Sequence, residues 1–351
     1  MGPPWTRDPP PPRAHRPPAD VTLGEIPDLV RRAEDLGYRS VWTWERDGWD
    51  AFALTGALSQ ATRRAELGVA IVSAFTRPPP LVAMGAAAAH HLSGGRFVLG
   101  LGASSSAITE RWMGLPYDRP YQRVRDTLRA VRAILDGGKV SFQGEAIAVE
   151  GFRLGVEPAP DLPIHLAALG PDMLALAGRE ADGVVLYMVP PDRIERVVEP
   201  ARAAAAAAGR PAPTTVMSVP VVVGGDPAER RRALVDLGLA YARVPVYAAH
   251  LTRMGLRDDI DALVEKARAT GTDGAADVVP DHLLDAFGVA GEARECREGL
   301  RRFLDGGLDR LHVYLMGCGP DRDERRRQVD EALEALAPAG CAPRTGGPEG
   351  G

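Results

Sequence analysis

Residues 94–114 read GGRFVLGLGASSSAITERWMG and carry several structural signals in a fixed order. The apolar run 97–101 follows a glycine pair, which predicts a short strand covered on both faces. Gly100 and Gly102 remove side chains at the far end of that strand, and three serines at 104–106 then open a helix. Unpaired N–H groups at a helix start favour an anion, although serines in this position also serve as simple caps. We therefore expect a buried strand followed by a capping or anion-binding loop.

The same order of helix, glycine stop and apolar strand recurs along the chain. We predict seven strands, which start near residues 39, 66, 96, 163, 184, 214 and 310. Strands that alternate with helices indicate right-handed βαβ units and a parallel sheet, so the fold class is α/β. A closed barrel of eight strands needs one more strand before the first helix. Residues 1–20 hold eight prolines there, and proline cannot donate a ladder hydrogen bond, so the first strand is irregular or missing.

Two segments depart from this alternation. Residues 139–154 alternate between polar and apolar around Gln143-Gly144, which predicts an inserted hairpin. Residues 224–290 are predicted to form a helical insertion between the last two strands, where insertions commonly cover an active site. The expected organisation is a proline-rich disordered segment at 1–22, a barrel domain at 23–338 and a disordered tail at 339–351.

Composition excludes several classes of protein. The 351 residues are 45% hydrophobic and 25% charged with a formal charge of −5, which argues against nucleic acid or an anionic membrane as partner. The three cysteines are too scattered for a metal cluster or a disulfide framework, which favours a cytoplasmic location. No apolar run approaches the roughly 20 residues that span a bilayer. We expect a small-molecule substrate, no metal, and leave a homodimer open.

Residues that follow the strands are the candidates for chemistry, because barrel sites lie at the strand C-termini. The stretch 42–50, WTWERDGWD, holds three of the five tryptophans, which suits a planar, mostly apolar ligand. The alternative is that Trp42 and Trp44 belong to the core. Arg77, after the second strand, suits an anionic ligand, but a surface charge is the slightly favoured interpretation. His165 is expected to be a core histidine.

Several stretches taken together resemble the luciferase-like monooxygenase superfamily, in particular its branch that uses the deazaflavin coenzyme F420. The resemblance covers about residues 23–337, and several motifs in one order make it more specific than any single motif. The matching stretches are LGYRSVWT at 36–43, DAF at 50–52, LGVAI at 67–71, LSGGRFVLGLG at 92–102, ERWMG at 110–114, PIHLAALGP at 163–171, ADG at 181–183 and VPD at 279–281.

The resemblance implies a (β/α)8 TIM barrel with the cofactor across the strand C-termini and hydride transfer at its deazaflavin ring. The catalytic candidates are Glu45, near the ring, and Arg46. The residues that the resemblance assigns to the cofactor are Ala70 and Ile71 as a bulge behind the ring, often with a cis peptide, and Ser104, Ser105, Leu169, Gly170 and Pro171 around its phosphate-bearing tail.

The sequence also departs from the family pattern at three places. Many relatives have an acid–histidine pair where this chain has Glu45-Arg46. Sugar-phosphate dehydrogenases of the family have an acid where Ser105 stands, so the glucose-6-phosphate reaction is disfavoured. The usual apolar first strand is replaced by proline-rich sequence.

Three hypotheses follow. The first is an F420-dependent oxidoreductase that acts on a small or lipid-like organic substrate. The second is an FMN-dependent monooxygenase of the same fold, and the third is a degenerate barrel that binds a ligand without catalysis, motivated by the missing strand and histidine. The substrate stays unidentified because the insertion at 224–290 carries no recognisable motif.

Overall fold

A computed structural model of the protein describes residues 21–338. The segments predicted to be disordered, residues 1–20 and 339–351, lie outside the described residues, as does the position expected for the first strand. Val21 and Thr22, which we placed in the disordered segment, are described, and Val21 is buried.

Strands and helices alternate through most of the described chain. The strands are β1 (Ser40–Thr43), β2 (Glu66–Ser73), β3 (Phe97–Gly102), β4 (Lys139–Gln143), β5 (Ala148–Arg153), β6 (Ile164–Ala167), β7 (Gly183–Leu186), β8 (Thr214–Val223), β9 (Val289–Gly291) and β10 (Arg310–Met316). The helices are α1 (Ile26–Asp35), α2 (Ala51–Ala61), α3 (Pro79–Leu92), α4 (Pro120–Leu135), α5 (Pro171–Glu180), α6 (Ile194–Ala207), α7 (Pro227–Ala242), α8 (Pro245–Arg253), α9 (Arg257–Ala276), α10 (Asp281–Phe287), α11 (Ala293–Asp305) and α12 (Arg322–Ala335).

The seven predicted strands form one parallel sheet in the order β1-β2-β3-β6-β7-β8-β10, with β9 beside β8. This confirms the predicted fold class, an α/β fold with a parallel barrel sheet; the irregular or missing first strand stays a prediction, because its position lies outside the described residues. Within residues 21–338 no hydrogen-bonded ladder joins the two ends of the sheet, β1 and β10. Side chains bridge them instead, because the rings of Trp42 and His312 stack with their centroids 4.4 Å apart.

Strand β3 lies in the centre of the core because its sequence allows neighbours to approach on both sides. All six of its residues are buried. A Cβ atom at position 100 would overlap the carbonyl oxygen of Val69 on β2. Glycine at this position therefore lets the two backbones pack together at the place where β2 bulges.

The two inserted segments lie where the sequence predicts them. Strands β4 and β5 form an antiparallel hairpin that closes with a hydrogen bond from the Gly144 nitrogen to the Ile147 oxygen, 2.8 Å long. Helices α7 to α10 occupy the insertion between β8 and β10, and β9, which we did not predict, follows them. None of the helices in the described part of the chain is both long and apolar enough to span a membrane.

Candidate active site

One large cavity, of about 2130 Å³, includes the C-terminal ends of the strands and extends along the gap between β1 and β10 to Arg39, Glu66 and Arg310 at the opposite ends of the strands. The space at the strand C-termini is therefore only part of this volume. All nine predicted site residues line it: Glu45, Arg46, Ala70, Ile71, Ser104, Ser105, Leu169, Gly170 and Pro171. The structure thus brings together residues from four separate stretches of sequence.

The end of β2 forms one side of the cavity. The register between β2 and β3 shifts between Val69 and Val72, and the peptide bond Ala70–Ile71 is cis. Both the bulge and the cis peptide are present where the resemblance placed them. Ala103 after β3 and Ala167 at the end of β6 also line this side, so its side chains are small and the backbone is accessible to a flat ligand.

The serine loop follows β3 directly. Ser104 has a positive φ of 60°, and the buried Ser105 accepts a 3.4 Å hydrogen bond at its Oγ from the Ile108 nitrogen. The predicted helix start is a π-helical turn, Ala107–Trp112. Ser105 therefore caps this turn and also lines the cavity; anion binding by this loop stays a prediction.

Helix α8 of the insertion holds the loop that precedes α5. The Leu169 carbonyl accepts hydrogen bonds from His250 Nδ1 and from Arg253 Nη2, each 3.0 Å long. Burial lowers the pKa of His250 to about 4, although its hydrogen bond to Leu169 acts in the opposite direction. The imidazole is therefore neutral near pH 7 and donates through Nδ1. Gly170 and Pro171, which begin α5, are fixed at the cavity wall by these contacts.

Glu45 and Arg77 form an ion pair at the end of β1. Arg77 Nε donates to Glu45 Oε1 at 3.0 Å and Arg77 Nη2 donates to Glu45 Oε2 at 2.6 Å. Arg77 also bonds to Asp50 and lies over the Phe52 ring, 5.1 Å from its centroid. The favoured interpretation of Arg77 as a surface charge is wrong, because only 15% of its side chain is exposed. Arg77 orients the predicted catalytic carboxylate.

Arg46 faces a different group of residues from its neighbour Glu45. Arg46 Nε donates to Asp47 Oδ1 at 2.9 Å, and 16% of the Arg46 side chain is exposed. Burial acts to lower the pKa of Arg46, but the hydrogen bond to Asp47 and the nearby phenols of Tyr241 and Tyr314 outweigh it and raise that pKa. Arg46 is thus directed toward the side of the cavity formed by the insertion and β10.

That side carries an aromatic wall, which we define as Trp44, Tyr187, Tyr241, Tyr247 and Tyr314. The Trp44 and Tyr314 rings meet edge to face at 5.3 Å. Tyr241 lies 5.0 Å from Tyr187 and 4.8 Å from Tyr247 between centroids, again edge to face. These are favourable geometries for aromatic pairs. The sequence prediction included Trp44 but missed all four tyrosines.

Below the wall, three rings fill the barrel interior. Trp42 lies 4.4 Å from His312 and 5.7 Å from His165 between ring centroids. Burial lowers the pKa of His165 to about 4 and that of His312 to about 3. Both histidines are therefore neutral near pH 7. His165 is the core histidine that we expected. Trp42 packs against both histidines but is only partly buried, and like Trp44, which is 39% exposed, it lines the cavity.

The chain belongs to the luciferase-like monooxygenase family, whose sequence profile matches residues 7–310. A 5,10-methylenetetrahydromethanopterin reductase from Methanolobus tindarius is 28% identical over 320 residues, which cover 90% of this chain and 97% of the relative. A Mycobacterium tuberculosis protein provisionally assigned as a coenzyme F420-dependent oxidoreductase is 29% identical over 319 residues. These cover 84% of this chain and 92% of the relative.

Solved structures share the fold. The coenzyme F420-dependent tetrahydromethanopterin reductase from Methanopyrus kandleri superposes with a TM-score of 0.74 at 22% identity, over 91% of this chain and 94% of that one. An F420-dependent secondary alcohol dehydrogenase superposes with a TM-score of 0.67 at 19% identity, over 90% and 96% of the two chains. Because the sequence identities are this low, the superpositions show that the chains share a fold.

Proposed function

We propose that this protein is an oxidoreductase that transfers a hydride between coenzyme F420 and a small or lipid-like organic substrate. The observation that carries the proposal is the meeting of the β2 bulge, the serine loop and the start of α5 in one cavity. The choice of cofactor is supported by two relatives that match nearly the whole chain. One is a 5,10-methylenetetrahydromethanopterin reductase, and the other is provisionally assigned as a coenzyme F420-dependent oxidoreductase.

The residues present fit such a cofactor. Small side chains at Ala70, Ala103 and Ala167 leave space for a flat ring system. The N-terminus of α5 has no side-chain cap, so its N–H groups suit the negative charges of a phosphate-bearing tail. When bound, the deazaflavin would supply the hydride donor or acceptor. Ala70 and Ile71 would support its ring, and Ser104, Ser105 and residues 169–171 would hold its tail.

Glu45 is proposed to act at the reacting end of the cavity. Arg77 fixes both of its carboxylate oxygens, and the Ala51 nitrogen donates to Oε2 at 3.3 Å. A carboxylate held in this way can orient a substrate hydroxyl or accept its proton. Arg46 would contribute positive charge on the opposite side of the same strand end, where relatives of the resembled pattern have a histidine.

The test is a fluorescence titration of the purified chain with oxidised F420 and, separately, with FMN. Binding of F420, followed by F420 absorbance changes with a panel of secondary alcohols, conjugated ketones and reduced pterins, is the expected result. Glu45→Gln should lower turnover of an active compound about 100-fold while F420 affinity changes less than threefold, since one positioned acid–base group contributes 10²–10⁴-fold. The matched control is Glu331→Gln, on the exposed face of α12.

Two outcomes would contradict this proposal. Absence of F420 binding would remove the cofactor assignment, and equal losses of affinity and turnover in Glu45→Gln would make Glu45 a binding group only. FMN binding with flavin-dependent oxygen uptake would favour the alternative, an FMN-dependent monooxygenase. The homodimer stays a prediction.

A further inference from the structure

The aromatic wall has features that the proposed cofactor does not require. It lies on the side of the cavity formed by β1, β7, β10 and the insertion, whereas the cofactor candidates follow β2, β3 and β6. Its members come from the strand ends and from helices α7 and α8. A substrate that meets the cofactor from the opposite side would lie against these rings.

The ring arrangement favours a planar ligand. Tyr187, Tyr241 and Tyr247 pack mutually edge to face, with centroids 4.8 to 6.2 Å apart. All three are partly exposed and line the cavity. Aromatic rings bind other flat rings by offset or edge contacts, with about 0.5–1.5 kcal/mol per pair beyond area burial. A saturated, puckered ring of the same size makes fewer such contacts.

The charge of the wall favours an uncharged ligand. Burial raises the pKa of Tyr187 and of Tyr247 well above the ordinary value for a phenol, so both hydroxyls stay protonated. Arg46, whose positive charge acts on Tyr247, is paired with Asp47 at 2.9 Å. An anion would have to be desolvated beside phenols whose surroundings already disfavour charge.

The hydroxyls nevertheless call for a polar atom in the ligand. The phenol of Tyr241 lies beside that of Tyr187 and raises the pKa of Tyr187 in addition to the larger effect of burial. Tyr241 is the middle ring of the three tyrosines and lines the cavity. Its phenol O–H can therefore donate to an oxygen acceptor of a ligand there.

From these observations we infer that the aromatic wall selects an uncharged, planar-ring compound that carries an oxygen acceptor, held by the hydroxyl of Tyr241. This inference rests on the proposed function only in calling the compound a substrate. A carbonyl group on such a ring is an acceptor of the right kind and is reducible by hydride transfer with uptake of one proton, to give an alcohol.

The experiment uses four naphthalene-sized probes on the full chain, with and without bound F420. The probes are 2-acetylnaphthalene, 2-ethylnaphthalene without the oxygen, the anion 2-naphthoate, and the saturated 2-acetyldecalin. Calorimetric titration should show 2-acetylnaphthalene binding at least tenfold more tightly than each of the other three. Tyr241→Phe should reduce its preference over 2-ethylnaphthalene by about tenfold, which corresponds to one hydrogen bond of about 1.4 kcal/mol.

Tyr38→Phe is the matched control, because the Tyr38 hydroxyl donates to the Leu333 carbonyl at 2.9 Å, away from the wall; it should leave the preferences unchanged. Tighter binding of 2-naphthoate would overturn the inference and make Arg46 a carboxylate anchor, and an unchanged preference in Tyr241→Phe would also overturn it. Probe selectivity in cofactor-free protein separates the two proposals. If F420 fails to bind while the probe preferences hold, the proposed function falls and the ligand class stands.

Discussion

The two sides of this barrel are held together by different means. On the side of β2, β3 and β6, the strands are joined by ladders and Gly100 lets neighbouring backbones touch. On the other side, within the described residues, β1 and β10 share no ladder and are bridged by the ring pairs Trp42–His312 and Trp44–Tyr314. The first side offers backbone and small side chains to a ligand, whereas the second offers aromatic rings.

The strand end at residues 45–46 connects these two sides. Glu45 is directed toward β2, where Arg77 holds it, while Arg46 is directed toward the tyrosines of the insertion and β10. The chain leaves β1 after Thr43 and bends at Arg46. The two neighbouring side chains thus lie on either side of the space where cofactor and substrate would meet.

The largest effect is expected where a side chain is added on the side of β2, β3 and β6, here called the glycine side. In Gly100→Ala the new methyl group would overlap the Val69 carbonyl, so β2 and β3 must separate. We expect a loss of about 3 kcal/mol in the free energy of unfolding, in the upper range for overpacked cores, and loss of F420 binding. Denaturant unfolding and cofactor titration measure both quantities.

Gly48→Ala serves as the control for this change, because a Cβ at position 48 meets no atom within 4 Å and its φ is not in the left-handed region. It should leave the free energy of unfolding and the F420 affinity within error of the unmodified chain. If Gly100→Ala and Gly48→Ala had the same free energy of unfolding, the close approach of β2 and β3 at Gly100 would not be required for this part of the barrel to fold.

A smaller effect, and one that depends on pH, is expected on the aromatic side. Burial lowers the pKa of His312 to about 3, with His165 and Arg310 adding to the shift. The unfolded chain binds a proton at this residue below about pH 6.5 and the folded chain does not. The contribution of His312 to the free energy of unfolding is therefore fully present above about pH 6.5. It falls as the pH decreases toward 3, by about 1.4 kcal/mol per pH unit.

Replacing His312 should remove its share of this dependence. His312→Leu is expected to lower stability at every pH through loss of the stack with Trp42, and to reduce the loss between pH 7 and pH 5 by about 2 kcal/mol. Urea unfolding at both pH values measures the difference, with the same replacement at the exposed His91 as control. An unchanged pH dependence in His312→Leu would show that His312 is protonated in the folded state or does not titrate in the unfolded one.

The contrast between the two sides also explains how far the sequence could be interpreted. The glycine side is encoded in short motifs, such as LGVAI at 67–71 and LSGGRFVLGLG at 92–102, so the bulge, the serine loop and the strand order were predictable. Tyr187, Tyr241 and Tyr314 are far apart in sequence and meet only through the barrel and the insertion. Tyr187 and Tyr314 lie after or late in predicted strands, and that signal could have identified them; nothing in the sequence around Tyr241 does so.

The smallest effect is expected at the contact that ties the insertion to the glycine side. The bond from His250 Nδ1 to the Leu169 carbonyl joins residues 81 positions apart and fixes the loop at the start of α5. His250→Ala should weaken F420 binding about tenfold, equivalent to one hydrogen bond of about 1.4 kcal/mol. His250→Asn offers an amide N–H near the Nδ1 position, and so should recover most of that affinity. Equal affinities in the two variants would instead assign the effect to ring packing in the buried site, and unchanged affinity in both would separate α8 from the cofactor loop.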